Sequence, residues 1–271
     1  ASGPSAPPVA LDPTAIETIL YTSGTTGRPK GVVQTHGNHE ASARASRARL
    51  GLRPDDRWLS VLPLHHVGGL SIVMRSVLDG TPLVLHPRFD PAAVRHALAG
   101  GGITLLSLVP TMLHRLLEDA GDAPAPALLR CVLIGGAALA PELAARARAR
   151  GWPIAPTYGL TEAASQVATA APEDSARSGV GAPLAGTRIR IVDADPDGRG
   201  EIHVSGPTIM RGYFRDDDAT RAALHDGWLR TGDVGRLDAD GRLEVFDRRS
   251  DVVITGGENV YPTEVESVLL A

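Results

Sequence analysis

Apolar residues follow two rhythms along this chain. Up to about residue 170 they come as short unbroken runs, at residues 16–21, 58–62, 82–85, 103–109 and 131–134. Runs of that length fit strands covered on both faces, the first of them feeding a glycine-rich loop. Helical patterns interleave with them. Residues 39–50 are rich in Ala and Arg, and Asp90-Pro91 places an N-cap and an N1 proline ahead of residues 92–98. Residues 110–117 carry Met112, Leu113, Leu116 and Leu117 at helical spacing, and Pro141 opens a further helix to residue 150. Alternation of this kind predicts an α/β layer around a mostly parallel sheet. Beyond it the period becomes two: Thr187, Ile189 and Ile191 alternate, as do Ile202 and Val204, and Leu243 and Val245 follow the turn Asp238-Ala239-Asp240-Gly241. That pattern predicts hairpin β structure.

The 271 residues allow one large domain or two smaller ones. With 27 Lys plus Arg against 31 Asp plus Glu, the net charge of −4 gives no bulk electrostatic case for nucleic acid or an anionic membrane surface. No stretch reaches the roughly 18 consecutive apolar residues of a membrane span. Residues 1–8 are rich in Pro, Ser and Ala without the charged-then-apolar pattern of a signal peptide. The one cysteine, Cys131, excludes an internal disulfide framework and a cysteine-based zinc site, and fits a reducing, cytoplasmic compartment. Lysine usage narrows the chemistry further. Lys30 is the single lysine and the other 26 basic residues are arginines, so any lysine chemistry falls to Lys30.

Lys30 ends a loop, Tyr21-Thr22-Ser23-Gly24-Thr25-Thr26-Gly27-Arg28-Pro29-Lys30-Gly31, that concentrates hydroxyls, glycines and one ammonium. Glycines let backbone N–H groups approach phosphate oxygens, hydroxyls donate further hydrogen bonds, and the ammonium supplies a point charge. A glycine follows Lys30 and the glycine spacing differs from a Walker A loop. By composition alone such a loop is a bare turn as readily as a polyphosphate cradle; the complete string is far more specific.

That string resembles the signature loop of the adenylate-forming superfamily, which comprises acyl-CoA synthetases, peptide-synthetase adenylation domains and luciferases. Four further segments resemble the family's other signatures, in family order. They are Tyr158-Gly159-Leu160-Thr161-Glu162; Gly200-Glu201-Ile202 through Gly206 to Gly212-Tyr213; Trp228-Leu229-Arg230-Thr231-Gly232-Asp233; and Asp247-Arg248-Arg249-Ser250-Asp251 with Gly256-Gly257-Glu258-Asn259-Val260-Tyr261-Pro262. The resemblance implies a large N-terminal domain with mostly parallel sheet layers (residues 1–179) and a β-rich, barrel-like part (residues 180–246). Residues 247–271 would be a hinge and the start of a small α+β C-terminal domain.

It also implies a reaction in which a carboxylate attacks the α-phosphate of ATP and a thiol, usually coenzyme A, then takes the acyl group. Thr22, Ser23, Gly24, Thr25, Thr26 and Lys30 would hold the β- and γ-phosphates, Thr161 the α-phosphate, and Glu162 a Mg²⁺ ion, whose hardness suits carboxylate and phosphate oxygens. Asp233, with two acceptor oxygens, and Arg248 would bind the ribose. Tyr158 with Gly159, and the stretch Gly135-Gly136-Ala137, would flank adenine, and Gly256, Gly257 and Glu258 would border the coenzyme A path. In Pro63-Leu64-His65-His66-Val67-Gly68-Gly69-Leu70-Ser71, His66 matches a family histidine beside the reacting carboxylate. His65 stands where an aromatic residue is usual and receives no role.

Among family members, residues 62–75, Ser107-Leu108-Val109-Pro110-Thr111, Thr161-Glu162-Ala163-Ala164-Ser165-Gln166 and the 247–251 junction resemble o-succinylbenzoyl-CoA synthetases of menaquinone biosynthesis. That acid carries a second carboxylate, which a greasy acyl tunnel would leave unpaired at a cost of several kcal/mol. Ser71, Arg75 and Gln166 are the candidates for holding it, Arg75 being equally readable as a surface residue. Another aryl- or fatty-acyl-CoA ligase is the alternative, and so is a catalytically incomplete fragment that binds the acyl-adenylate. The family's adenylation lysine lies well beyond Gly256-Gly257-Glu258, so the expectation for the sequence ending at Ala271 is impaired adenylation. Expected partners are small-molecule substrates, with no nucleic acid or membrane insertion and with a homodimer left open.

Overall fold

The computed structural model describes residues 11–22, 29–171, 174, 179–248, 253–255 and 258–260. Its first elements are a hairpin of β1 (Ile16–Thr22) and β2 (Lys30–Thr35) leading directly into α1 (His36–Leu50). An alternating series follows: β3 (Trp58–Ser60), α2 (Val67–Asp79), β4 (Leu83–Leu85), α3 (Pro91–Gly100), β5 (Leu105–Leu108), α4 (Pro110–Ala120), β6 (Cys131–Ile134), α5 (Pro141–Ala149) and β7 (Ile154–Leu160). A 3-10 turn, Thr161–Ala163, returns the chain as β8 (Ser165–Thr169), and β9 (Ala182–Pro183) comes next. These strands form one seven-stranded sheet in the order β4-β3-β5-β6-β7-β8-β9, parallel from β4 to β7 and antiparallel from β7 to β9.

The inner apolar runs are continuous because both faces of this sheet are covered there; the run at 82–85 is corrected from a buried strand to the sheet's edge strand β4, whose Leu85 is exposed. Leu59, Leu106, Val132 and Ile154 pack with Val94, Leu98, Leu113 and Leu116 of α3 and α4. Their neighbours in the strands, Trp58, Leu105, Cys131 and Leu133, pack on the opposite side with Ile72 of α2. Strand alternation thus sends successive apolar side chains into two cores.

Helix α1 begins three residues ahead of the expected residue 39, because Thr35 and Asn38 form a reciprocal capping box. Helix α2 was not legible as a helix. Two glycines sit in its first turn, and its buried positions Gly69, Ser71, Ile72 and Arg75 are half polar, so its inward face does not read as an apolar one. Strand β1 corrects the sequence reading of a buried strand: Ile16, Ile19 and Tyr21 are exposed. It lies at the edge of a separate sheet ordered β1-β2-β12, where β12 is Gly212–Tyr213.

The predicted hairpin region supplies β10 (Arg188–Val192) and β11 (Gly200–Ser205) ahead of β12. After it come α6 (Asp217–Ala223), β13 (Leu224–His225), β14 (Trp228–Leu237) and β15 (Leu243–Arg248). They form an antiparallel sheet ordered β10-β11-β14-β13, with β15 also on β14. Its alternating residues Ile189, Ile191, Ile202, Val204, Leu243 and Val245 bury one face against Tyr158 and Val167 of the β7–β8 hairpin. A final hairpin pairs β16 (Val253–Thr255) with β17 (Glu258–Val260). Two sheets cross the expected division at residues 179 and 180: β9 completes the seven-stranded sheet, and β12 hydrogen-bonds to β2.

Candidate active site

Strands β5, β6 and β7 all end at one cleft of about 1180 Å³, as expected for a site outside the carboxyl ends of parallel strands. The floor depends on close backbone approach. A Cβ on Gly159 would lie 1.8 Å from the Ser165 carbonyl oxygen, so only glycine lets β7 and β8 meet there. The 3-10 turn between them presents Thr161 and Glu162 to the cleft. Past the turn, Ala164 (φ 51°) and Ser165 (φ 93°) occupy the left-handed region without being glycine. Backbone in that region costs about 1–3 kcal/mol per residue and is held only where surrounding contacts impose it.

At one end of the cleft, Thr22 and Lys30 face each other across the β1–β2 register and frame the loop between them. The Lys30 ammonium lies 5.1 Å from the centre of the Tyr213 ring, and the Tyr213 hydroxyl donates to Glu162 Oε1 at 2.9 Å. The Gln34 side-chain amide, fully buried, donates to the Thr161 carbonyl. The polar parts of three distant segments therefore converge. Among the described residues no group of three or more His, Cys, Asp or Glu comes together. A cation held by Glu162 would find no cluster of further carboxylates, imidazoles or thiols among the described residues and would draw on ligand oxygens and water. That division of ligands is typical of Mg²⁺ at phosphate sites, so the residues present fit this ion.

At the other end, α2 starts at the cleft with His66 as its N-cap, and the His65 and His66 rings lie 4.3 Å apart between centres. Ser71 and Arg75 follow on the same helix. Ser71 Oγ is 3.2 Å from Ser165 Oγ, and Arg75 Nη2 is 3.5 Å from it. Arg75 is 4% exposed and makes no ion pair within 4 Å among the described residues, and its Nε has no hydrogen-bond partner. Burial pulls its pKa down to about 10, against the field of Asp79 one turn along, which favours the charge. Asp79 itself bonds Arg47 at 2.8 Å. The reading of Arg75 as a surface residue is thereby corrected: α2 turns it inward, to the cleft wall.

Of the residues singled out in the sequence, Thr22, Lys30, His65, His66, Ser71, Arg75, Gly135, Gly136, Gly159, Thr161, Glu162 and Gln166 line this one cleft. Gln166 is buried, and its Nε2 is committed to Thr169 Oγ1 at 2.8 Å. Ala137, Tyr158 and Asp233 are not in the wall; Tyr158 instead donates its hydroxyl to Asp233 Oδ2 at 2.6 Å, behind Thr231 and Gly232, which are. Arg248 pairs in register with Asp233 through the backbone. Ser23, Gly24, Thr25, Thr26, Gly256 and Gly257 lie outside the described residues, as does the side chain of Glu258. Sequence reasoning passed over Gln34, Ser165 and Tyr213 as site residues. Ser165 and Tyr213 stood inside quoted signature segments, whereas Gln34 carried no signal beyond its place after Lys30.

Comparison with known proteins follows the same lines. Residues 2–214 match the family of AMP-binding enzymes. The 2-succinylbenzoate–CoA ligase of Bacillus velezensis is 48% identical over 269 residues, covering 97% of this chain and 54% of the relative. That of Geobacillus kaustophilus is 47% identical over 262 residues, covering 94% and 54%. Among solved structures, o-succinylbenzoate CoA synthetase from Bacillus subtilis in complex with its acyl-adenylate intermediate superposes with a TM-score of 0.92 at 45% identity, over 96% of this chain and 55% of that one. The same enzyme with ATP and magnesium ion gives 0.91, also at 45% identity, over 96% and 56%. This chain thus spans about half the length of the relatives it matches.

Proposed function

Because the chain belongs to the AMP-binding enzyme family, we propose that its cleft serves the ATP-dependent activation of o-succinylbenzoate to the acyl-adenylate and then to o-succinylbenzoyl-CoA, a step of menaquinone biosynthesis. In the first half a carboxylate oxygen attacks the α-phosphorus and pyrophosphate leaves. In the second a thiol displaces AMP from the acyl carbon. Two anions must meet in the first half, so donors and cations fixed in advance around the phosphates supply most of the stabilisation.

Lys30 neutralises the β- and γ-phosphates, with Thr22 and residues 23–26 proposed as further donors to them. Thr161 faces the α-phosphate, and Glu162 holds Mg²⁺, which when bound offsets polyphosphate charge. Gly135 and Gly136 leave room for the adenine, with Tyr158 and Ala137 behind them. Asp233 and Arg248, adjacent in register, take the ribose. His66, at the N-terminus of α2, lies beside the reacting carboxylate, where the helix end favours negative charge. Gly256, Gly257 and Glu258 keep their proposed place along the coenzyme A path. A homodimer and a cytoplasmic setting belong to the same reading; the cleft walls named here all come from one chain.

The observation that carries the choice of acid is the buried Arg75 guanidinium, which reaches the cleft with no ion-paired carboxylate among the described residues. A second carboxylate on the substrate completes that pair, with the hydroxyls of Ser71 and Ser165 as further donors. Gln166 lies alongside, but its amide nitrogen already serves Thr169. Calorimetry with a stable o-succinylbenzoyl-adenylate analogue, and with the matching analogue lacking the spectator carboxylate, tests this. Tight binding of the first and much weaker binding of the second are expected. Equal binding of both, or turnover of benzoate or a fatty acid in preference to o-succinylbenzoate, would refute the assignment.

A further inference from the structure

One side chain touches both opposite charges at the phosphate end of the cleft. Tyr213 donates its hydroxyl to Glu162 Oε1 at 2.9 Å, while the face of its ring lies 5.1 Å from the Lys30 ammonium. Lys30 and Glu162 both line the cleft and make no ion pair with each other. The ring is set by its backbone. Strand β12 pairs with β2 at Val32 and Val33, the Phe214 N–H donates to the Gly31 carbonyl at 2.7 Å, and the Tyr213 N–H donates to Thr220 Oγ1 at 2.8 Å. From the other side, the Met210 N–H holds the Glu162 carbonyl at 2.8 Å.

An unrestrained lysine and glutamate at the edge of one cleft would pair and neutralise each other, leaving neither for a ligand. We propose that Tyr213 is a positioning residue which prevents this. Its ring occupies the space beside the ammonium, its hydroxyl ties down one carboxylate oxygen, and the other oxygen stays available to a divalent cation. Cation and lysine then bind the two ends of one polyphosphate. This rests on the reading of the cleft given above and adds to it a residue that touches no reacting atom. A donor behind a metal-binding carboxylate fixes its rotamer, and losing such a partner costs about 10- to 100-fold in metal affinity.

The test is a MgCl2 titration of ATP binding, followed by calorimetry on the 271-residue chain, with AMP binding as the reference. Tyr213→Phe keeps the ring under Lys30 and removes only the hydroxyl. It should raise the Mg²⁺ concentration for half-maximal ATP binding about tenfold, leave AMP affinity unchanged, and have no further effect in a Glu162→Gln background. Tyr213→Leu removes the spacer too. It should in addition weaken pyrophosphate binding without magnesium, a loss that Glu162→Gln restores by removing the competing anion. An unchanged Mg²⁺ midpoint in Tyr213→Phe, or a lowered one, overturns the inference while leaving the cleft reading intact. A chain that takes neither AMP nor MgATP overturns both.

Discussion

Replacing Arg75 by methionine should make the protein more stable and a worse ligand-binder at once. Methionine fills similar space along α2 without a charge. One pH unit corresponds to about 1.4 kcal/mol, so a guanidinium whose pKa burial has drawn down to about 10 costs the fold roughly 3 kcal/mol to keep ionised. The sign is that of a base depressed by folding. The cost is fully present at neutral pH, below the folded value, and fades only as pH climbs from there toward the unfolded value. Against it stand a long 3.5 Å contact to Ser165 and the attraction of Asp79. The latter is already counted in the net shift. A gain of about 1–2 kcal/mol remains, in the range seen when buried ions are exchanged for apolar residues, equivalent to a rise in Tm of about 2–6 °C. The same substitution leaves the spectator carboxylate of o-succinylbenzoyl-adenylate unpaired, which should weaken the analogue by about 30-fold or more, while the analogue lacking that carboxylate binds as before. Differential scanning calorimetry and binding titrations on the one variant read both effects. A lower Tm, or equal loss for the two analogues, would show that Arg75 is a structural part of α2 and not a receptor for the acid.

Three other outcomes are expected. Lys30→Ala should weaken ATP and pyrophosphate by about 10- to 100-fold, the worth of a charge-assisted hydrogen bond, and o-succinylbenzoyl-AMP much less; equal losses in calorimetry for all three would argue against a β/γ-phosphate role. Gly159→Ala puts a carbon against the Ser165 carbonyl and should cost more than 3 kcal/mol in urea unfolding, with loss of AMP binding; near-wild-type stability would show that the β7–β8 hairpin can part there. Arg130 binds both oxygens of the buried Asp56 carboxylate as well as the carbonyls of Leu50 and Gly51, so Arg130→Met should cost about 3–5 kcal/mol by chemical denaturation. Burial pushes Asp56 upward, but hydrogen bonds from Arg130, the Arg53 N–H and Thr104 outweigh it and hold its pKa below the ordinary 3.8. That contribution is therefore complete above about pH 5 and is lost as pH falls through the folded value, and acid unfolding of Arg130→Met should begin at higher pH than in the parent.

The parallel layer was readable because its inner strands β3, β5 and β6 are largely buried and so show as apolar runs, and because Asp90-Pro91, Pro110 and Pro141 mark helix starts. The hairpins were readable from their period of two. What escaped were elements whose buried positions are polar because they face or support the cleft. Helix α2 turns Ser71 and Arg75 inward, and β2 buries Gln34, so polarity at those positions describes the site and not the solvent. β1 failed in the opposite sense, since its apolar residues lie on an exposed edge. The candidate residues were found through local strings, each within one segment. The Tyr213–Glu162, Gln34–Thr161 and Tyr158–Asp233 bonds join segments far apart in the chain, and no local pattern encodes such a pairing.

The β1-β2-β12 sheet gives the site a place in time as well as in space. Lys30 is made well ahead of Tyr213, and a ribosome working at about 5–20 residues per second separates them by about 10–40 s. During that interval the buried residues described for the two cores around β3 to β6 are all in place, whereas Tyr158 of β7 still lacks Leu243 and Asp233. β2 meanwhile lacks the strand that pairs with Val32 and Val33, and Glu162 lacks the hydroxyl that orients it. The β2–β12 pairing and the Tyr213–Glu162 bond are thus later contacts, in order of synthesis, than those of the parallel layer that presents Thr161 and Glu162.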